Sequence, residues 1–246
     1  MAGKGTWGVI AAMKIEAEHI VAAMEDAKTE TVGGIEFTVG KIRMANEQAG
    51  GEIGEADVVV AVCGIGKVFA AMCAQTMIVK YNPSCIINTG VAGSLEAQID
   101  IGDIVVSTDA MYHDFDVSGL GYEPGIIPQL DESFFKADEK MVNEAVASCN
   151  RACPEIAVYK GRVCSGDQFI SKRDVKNRIK EMFDGLCCEM EGAAIAHAAY
   201  LNKTPFVIIR AISDKADDSA EMDYPTFERK AASHSAKLVQ DLVTHL

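Results

Sequence analysis

The sequence predicts an α/β fold in which a sheet is covered by helices on both faces. Short runs of apolar and β-branched residues recur along the chain, and stretches with apolar residues at helical spacing separate them. Several of the short runs are apolar at nearly every position, which is typical of strands buried on both faces. Strands and helices alternate over 246 residues without a break in composition, so we expect a single domain spanning residues 1–246.

The individual elements follow from these patterns in chain order. Seven runs predict strands, at residues 7–13, 35–42, 57–62, 85–88, 103–107, 157–163 and 205–212. Four stretches predict helices, at residues 67–81, 136–149, 190–202 and 225–246. Between residues 112 and 131 lies a long loop rich in Gly, Pro and aromatic residues. Loops of this length in a compact domain are commonly functional or interfacial.

The composition excludes several functional classes. Lys and Arg number 23 against 36 Asp and Glu, and the formal charge of −13 argues against binding to nucleic acid or to an anionic membrane surface. No uncharged apolar run reaches the roughly 18 residues that a membrane span needs, and the start of the chain lacks a secretory pattern. The eight cysteines form no CxxC pair, so we expect reduced, buried thiols in the cytoplasm and no metal site.

Two segments invite ligand-binding interpretations that their neighbours weaken. In the turn CGIGK (63–67), a phosphate loop would need Gly in place of Ala61 and Ser or Thr in place of Val68, and a dinucleotide fingerprint would need a small residue in place of Phe69. The turn therefore either serves packing or lets a ligand approach the backbone. The segment HDFD (113–116) lacks a second ligand cluster, so a capping or solvated role is favoured over a metal site.

Three carboxylates lie beside the ends of predicted strands. Glu16 follows the first strand, Asp214 follows the strand at 205–212, and Glu191 opens the apolar helix at 190–202. Ligands of α/β folds bind beside the carboxyl ends of strands, where buried acids are costly unless they are paired or used. Each acid also has a structural explanation. Glu16 and Glu191 would stabilise the N-terminal turn of a helix through the helix dipole, and Asp214 would cap the start of a short helix.

Eight short motifs occur in a fixed order along nearly the whole chain. They are AMxxE (12–16), GIGKV (64–68), INTGxAG (87–93), GDIVVS (102–107), YHDxDV (112–117), SGDxFI (165–170), EME (189–191) and RAISDxAD (210–217). Together they resemble the 5′-methylthioadenosine/S-adenosylhomocysteine nucleosidase family of the purine nucleoside phosphorylase/hydrolase group. The resemblance begins at about Trp7, so residues 1–6 are an N-terminal extension. It implies a three-layer domain with a central twisted mixed β-sheet flanked by helices, usually assembled as a homodimer.

The resemblance also implies catalytic roles. Asp214 matches the residue that binds purine N7 and protonates it, Glu16 matches the carboxylate that activates the attacking water, and Glu191 matches the residue that holds the ribose hydroxyls. These roles suit N-glycoside cleavage, which passes through an oxocarbenium-like transition state. The leaving adenine needs a general acid, the water needs a base on the opposite face, and a carboxylate stabilises the sugar cation. No metal or organic cofactor is needed.

The resemblance places further residues around the substrate. Met190 packs on the sugar, Phe169 stacks on adenine, the backbone of Ile170 reads the purine edge, and Ile65, Tyr224 and Phe227 shape the pocket for the 5′-substituent. The other binding residues implied within one chain are Ala92, Gly93, Arg210 and Ser213. The loop at 117–128 is expected to reach the site of a partner subunit, through Val117, Tyr122 and Pro128.

Some positions depart from the family pattern, and alternatives to its usual activity follow. Val91 stands where bacterial members often have Ser, Ser94 where Gly is frequent, and Tyr224 where Phe is common.

A phosphorylase would need cations around a phosphate, for which Arg210 is available, although Glu16 would repel that anion. A non-catalytic sensor or storage protein would be expected to lose the acids. A nucleosidase that prefers 5′-deoxyadenosine or aminofutalosine would use the same adenine and ribose contacts.

Overall fold

The computed structural model of the chain describes residues 5–44 and 54–245, so residues 1–4 of the expected extension lie outside the described part. Its strands are β1 (Trp7–Ala11), β2 (Glu25–Val32), β3 (Ile35–Met44), β4 (Gly54–Val62), β5 (Cys85–Ser94), β6 (Ile104–Tyr112), β7 (Phe134–Lys136), β8 (Val158–Ser165), β9 (Gly185–Glu189) and β10 (Phe206–Asp214). Its α-helices are α1 (Lys14–Ala22), α2 (Lys67–Tyr81), α3 (Glu139–Ala152), α4 (Arg173–Phe183), α5 (Gly192–Asn202) and α6 (Ala220–His245).

The strands form one mixed sheet in the order β10-β6-β8-β9-β5-β1-β4-β3-β2, with β7 added to β6. Strands β4, β1, β5 and β10 pair in parallel, so their carboxyl ends meet at one edge. Strand β10 also pairs with β6, in antiparallel fashion, so β10, β6, β8, β9 and β5 close into a ring. The predicted mixed α/β fold is confirmed, and the ring brings the ends of β5, β9 and β10 close together.

Helices cover the sheet on two sides. On one side α2 and α5 pack together, and their small and medium residues, such as Cys73, Met77 and Ala199, join a core with Ile10 and Ile86 of the sheet. On the other side α1, α3 and α6 form a second core with the opposite faces of β1, β4 and β10. The strands are therefore apolar on both faces, as their sequence predicts. None of the described helices is long and apolar enough to cross a membrane.

Most predicted elements are found, with shifted ends. The helix predicted at 136–149 begins at Glu139, because residues 134–136 pair with β6 and Asp138 caps the helix by accepting a hydrogen bond from the Met141 amide at 3.0 Å. The helix predicted from residue 225 begins at Ala220, so Pro225 lies inside it. Strands β2, β7 and β9 and helices α1 and α4 were not predicted. Strand β2 escapes prediction because it is an exposed, charged edge strand.

Candidate active site

A cavity of about 360 Å³ opens at the edge where the parallel strands end. This is the position at which α/β folds bind ligands. Its lining residues are Ala12, Met13, Glu16, Ile65, Val91, Ala92, Gly93, Gln168, Phe169, Ile170, Cys188, Glu189, Met190, Glu191, Ser213, Asp214 and Tyr224. The three carboxylates that the sequence predicts therefore lie around one space, although they are up to 198 positions apart in the chain.

Glu16 sits in the first turn of α1 and is held by backbone amides. Its Oε2 accepts hydrogen bonds from the amides of Ala12 and Met13, each at 2.9 Å, and its Oε1 accepts from the Val91 amide at 3.2 Å. Burial raises the pKa of Glu16, while these hydrogen bonds and the positive charge of Arg210 oppose the rise. Glu16 thus favours the start of its own helix, as expected, and also faces the cavity.

Asp214 is the last residue of β10, next to an irregularity in the pairing with β5. Its Oδ1 accepts a hydrogen bond from the Ala216 amide at 2.8 Å, and its Oδ2 accepts from the Ser213 hydroxyl at 2.9 Å. Burial raises its pKa. Gly93 gives this carboxylate its room, because a Cβ at that position would lie 2.7 Å from Oδ1. A raised pKa is what a general acid requires at neutral pH.

Glu191 immediately precedes helix α5, and its Oε1 accepts a hydrogen bond from the Gly66 amide at 2.8 Å. Gly66 has a φ of 99°, a conformation that favours glycine. This contact shows that the CGIGK turn contributes its backbone to the cavity. Burial is the main cause that raises the pKa of Glu191 to about 7, and the nearby charge of Glu189 adds to it.

Glu189 and Arg210 form a buried ion pair behind Glu191, at 2.5 Å between Arg210 Nη2 and Glu189 Oε2. The guanidinium also donates to the Asn88 Oδ1 at 2.5 Å. Arg210 is placed by the resemblance among the binding residues, yet it is not part of the cavity lining. The sequence did not predict a role for Glu189. In EME (189–191) the resemblance assigns a role to Glu191, and the partner of Glu189, Arg210 on β10, is 21 positions away.

The other wall of the cavity is apolar and more open. Met190 and Ile170 line it together with Phe169 and Ile65, which are 48% and 56% exposed. The rings of Phe169 and Tyr224 meet edge to face with centroids 5.6 Å apart. The Tyr224 hydroxyl lies 3.5 Å from the Met13 sulfur. This wall offers two aromatic surfaces to a flat, apolar ligand.

Besides Arg210, four of the predicted binding residues lie outside the lining of this cavity. Phe227 lines a separate cavity of about 320 Å³, beside Ile212 and Lys230, rather than the cavity that holds the carboxylates. Val117, Tyr122 and Pro128 lie in the long loop, and none of them lines the cavity of the same chain. That loop is confirmed as irregular, with a single short helical turn at Ser118–Leu120.

The charge of the residues that line the cavity bears on whether it can bind a phosphate ion or a metal ion. Among the described residues that line the cavity, four are acids and none is Lys, Arg or His. The cation considered for a phosphate, Arg210, is 1% exposed and already paired with Glu189. The charged side chains that an anion would meet among these described residues are therefore all negative, whereas a sugar that develops positive charge is favoured. No group of His, Cys, Asp or Glu within residues 5–44 and 54–245 is arranged to hold a metal ion.

Comparison with known proteins agrees with this geometry. The family model described as "Phosphorylase superfamily" matches residues 6–244. A 5′-methylthioadenosine/S-adenosylhomocysteine nucleosidase of Shewanella loihica is 37% identical over 243 residues, covering 97% of this chain and 99% of its own. The nucleosidase of Neisseria meningitidis, solved with methylthio-immucillin-A, is 36% identical with a TM-score of 0.89 over 98% and 100% of the chains. The futalosine hydrolase of Helicobacter pylori is 29% identical, also with a TM-score of 0.89, over 99% of each chain.

Proposed function

The chain belongs to the 5′-methylthioadenosine/S-adenosylhomocysteine nucleosidase family of the phosphorylase superfamily, and we propose that Glu16, Glu191 and Asp214 carry its reaction. It is a hydrolase that cleaves the N-glycosidic bond of these two nucleosides and releases adenine. The observation that carries the proposed roles is the convergence of three buried carboxylates on one cavity, in which no described lining residue is Lys, Arg or His.

Asp214 is the proposed general acid. As the C1′–N9 bond breaks, its electron pair moves into the adenine ring, and Asp214 supplies the proton that N7 takes up. Among the described residues, the Asp214 carboxylate accepts hydrogen bonds from one backbone amide and the Ser213 hydroxyl, and the charge of Lys176 also favours its ionised form. Burial favours its neutral form, which is the form that can donate.

Glu16 is the proposed base. It takes a proton from water while the water oxygen bonds to C1′, so the sugar leaves as the free hemiacetal. Three backbone amides and the charge of Arg210 favour the ionised carboxylate that this step needs. Glu191 binds the ribose hydroxyls, and its negative charge stabilises the positive charge that develops on the sugar.

The apolar wall is the proposed binding surface for the rest of the nucleoside. Phe169 stacks on adenine and the backbone of Ile170 contacts the purine edge. Met190 packs against the sugar, and Ile65 and Tyr224 surround the 5′-thio group. The exposure of Phe169 and Ile65 leaves their side chains available to a ligand.

We propose that the enzyme works as a homodimer in which the loop at 117–128 completes the site of the partner. The loop carries Leu120, 74% exposed, and the exposed Tyr122, while α2 exposes Val68, Phe69 and Met72. Exposed apolar side chains that follow one another along a loop, or along one turn of a helix, suit an interaction surface. Leu120→Asp should shift the protein from dimer to monomer in analytical ultracentrifugation and weaken substrate binding. An unchanged dimer with unchanged kinetics would contradict this role of the loop.

The proposed location is the cytoplasm. All eight cysteines are free thiols and all are buried, which suits a reducing compartment. Fractionation of cells that produce the protein at native level, followed by immunodetection, tests this: recovery outside the cytoplasmic fraction contradicts it.

The function is tested by release of adenine in phosphate-free buffer. We expect release from 5′-methylthioadenosine and S-adenosylhomocysteine at rates that added phosphate does not raise. Parallel assays with 5′-deoxyadenosine and aminofutalosine rank the substrates by kcat/KM, since a futalosine hydrolase is among the similar structures. A far higher kcat/KM for aminofutalosine would overturn the substrate assignment while leaving the reaction type intact.

A further inference from the structure

Glu189 and Glu191 are separated by one residue and have very different surroundings. Glu189 Oε2 accepts hydrogen bonds from the amides of Glu191 at 3.1 Å and Gly192 at 2.7 Å, and from Nε and Nη2 of Arg210. Its Oε1 accepts from the Ser165 hydroxyl. Glu191 accepts one hydrogen bond, from Gly66, among the described residues. Glu189 is thus saturated with donors, and Glu191 keeps acceptor capacity for a ligand.

The position of Glu189 fixes the start of α5. The first amides of a helix lack partners within the helix, and here Glu189 takes those of Glu191 and Gly192, while the Ser165 hydroxyl accepts from Ala193 at 2.7 Å. The backbone of Glu191 is therefore held by the side chain two residues before it. A shift of the Glu189 carboxylate would move the residue that faces the sugar.

Arg210 is the charge over which the buried acids compete. It lies within electrostatic reach of Glu189, Glu191 and Glu16, and of these three described acids Glu189 is the one that forms an ion pair with it. The groups that face Glu191 are Glu189 from β9, Arg210 from β10, Glu16 from α1 and the Cys63 thiol that follows β4. The titratable groups that interact electrostatically with Glu189 are Arg210, Glu191, Tyr112, His113, Cys164, Cys187 and Cys188.

We propose that Glu189 is a positioning residue of the reaction: by binding Arg210 and the first amides of α5, it keeps Glu191 oriented toward the sugar and prevents Glu191 from pairing with the guanidinium. The proposal rests on the function proposed for Glu191 and adds a residue that lines the cavity but acts on the reaction through Glu191. Without the Glu189 charge, Arg210 attracts Glu191, whose carboxylate then turns away from the ribose hydroxyls.

The test is the isosteric variant Glu189→Gln, assayed for adenine release from 5′-methylthioadenosine across pH 5 to 9. The acid limb of kcat/KM reports protonation of the carboxylates that must be ionised in the free enzyme: Glu191, whose pKa burial raises to about 7, and Glu16, whose pKa burial also raises. Loss of a like charge and freeing of Arg210 both favour ionised Glu191, so the limb should move to lower pH by on the order of one unit. At the same time kcat should fall about tenfold, because the ionised group is misdirected.

Two matched variants separate charge from simple structural support. Ser165→Ala removes hydrogen bonds to Glu189 and Ala193 without changing charge, so it should lower Tm and leave the acid limb in place. Asn88→Asp adds a negative charge against Arg210 and should move the limb to higher pH, which keeps the test decisive if Glu189→Gln does not fold. An unmoved limb in both charge variants, or a limb that Ser165→Ala moves equally, overturns the proposal.

The pH dependence of the free energy of unfolding tests the role of Glu189 without measuring enzyme activity, so it can fail independently of the proposed function. The folded pKa of Glu191 is raised above its ordinary value, so the stability it contributes is complete at low pH and is lost as pH rises through about 7. Titration of Glu191 therefore lowers the free energy of unfolding in urea between pH 5 and pH 8, whereas His197 and His234, whose pKa values burial lowers, raise it over the same range in both proteins. The change in the free energy of unfolding from pH 5 to pH 8 should consequently be less negative in Glu189→Gln than in the wild type. A wild type that releases no adenine refutes the function, whereas an equal change in both proteins refutes the role of Glu189.

Discussion

The two walls of the cavity are built on opposite principles. On one wall Glu16, Glu191 and Asp214 are at most 7% exposed, and backbone amides from neighbouring segments hold each of them. On the other wall, Phe169 and Ile65 are about half exposed. Fixed polar groups act on a transition state because they need no rearrangement when charge develops. Adaptable apolar groups contribute binding that substrate and transition state share.

This comparison predicts that the acidic wall governs kcat and the apolar wall governs KM. The largest effect is expected from Asp214→Asn, which keeps the shape of the side chain but removes the proton donated to adenine. We expect kcat to fall at least about 100-fold with folding retained, because general acid–base catalysis contributes about 10²–10⁴. Steady-state kinetics and a thermal melt measure this, and activity near that of the wild type would contradict the assignment.

A similar loss of about 100-fold is expected from Glu16→Gln, because the amide oxygen can still accept the hydrogen bonds from Ala12 and Met13 but the side chain cannot take a proton from water. A substrate with a 4-nitrophenolate leaving group at C1′ distinguishes the two acids, because that group departs without protonation. Asp214→Asn should recover most of its activity on this substrate, and Glu16→Gln should not. Equal recovery in both variants would show that the acid and base are wrongly assigned.

A smaller effect, on KM rather than on kcat, is expected from Phe169→Ala on the apolar wall. Stacking of a base on an aromatic ring is worth about 1–3 kcal/mol, so KM for 5′-methylthioadenosine should rise about tenfold or more. The value of kcat should change less than about threefold, because adenine stacks in both the ground and transition states. A large fall in kcat at constant KM would erase the proposed division between the walls.

The smallest effect concerns two aromatic residues of α6. Tyr224→Ala should raise KM for 5′-methylthioadenosine a few-fold and change KM for adenosine less, because the lost surface contacts the 5′-thio group. Phe227→Ala is the matched change at the residue that lines the other cavity, and it should leave both KM values unchanged. Equal effects of the two variants would place Phe227 in the substrate pocket after all.

The sequence predicts the acidic wall better than the apolar one, and the reason is geometric. Glu16 and Asp214 follow apolar runs that can only be buried strands, and parallel strands bring their carboxyl ends together. Tyr224 and Phe227 lie on one helix, where three residues correspond to about 4.5 Å along the axis. That distance decides which cavity a side chain lines, and no local pattern encodes it.

Contacts across the closed ring of strands are likewise beyond local patterns. The pair of Glu189 and Arg210 depends on β9 and β10 both joining β5, a closure that strand–helix alternation does not reveal. Gly90 of β5 is also explained by a contact between distant segments, because a Cβ there would lie 2.9 Å from the Glu16 carboxylate on α1. Burial and spacing thus predict which acids are important, while tertiary contacts decide how each acid is held.

The most direct test of this account is a single-turnover reaction with 5′-methylthioadenosine in ¹⁸O-labelled water that also contains phosphate. A cavity whose charged lining residues, within the described part of the chain, are all acids predicts that water attacks C1′, so the label should appear in the sugar product and no sugar phosphate should form. Mass spectrometry of the products reads both. A sugar 1-phosphate free of label would mean that phosphate is the nucleophile, and would contradict the role assigned to Glu16.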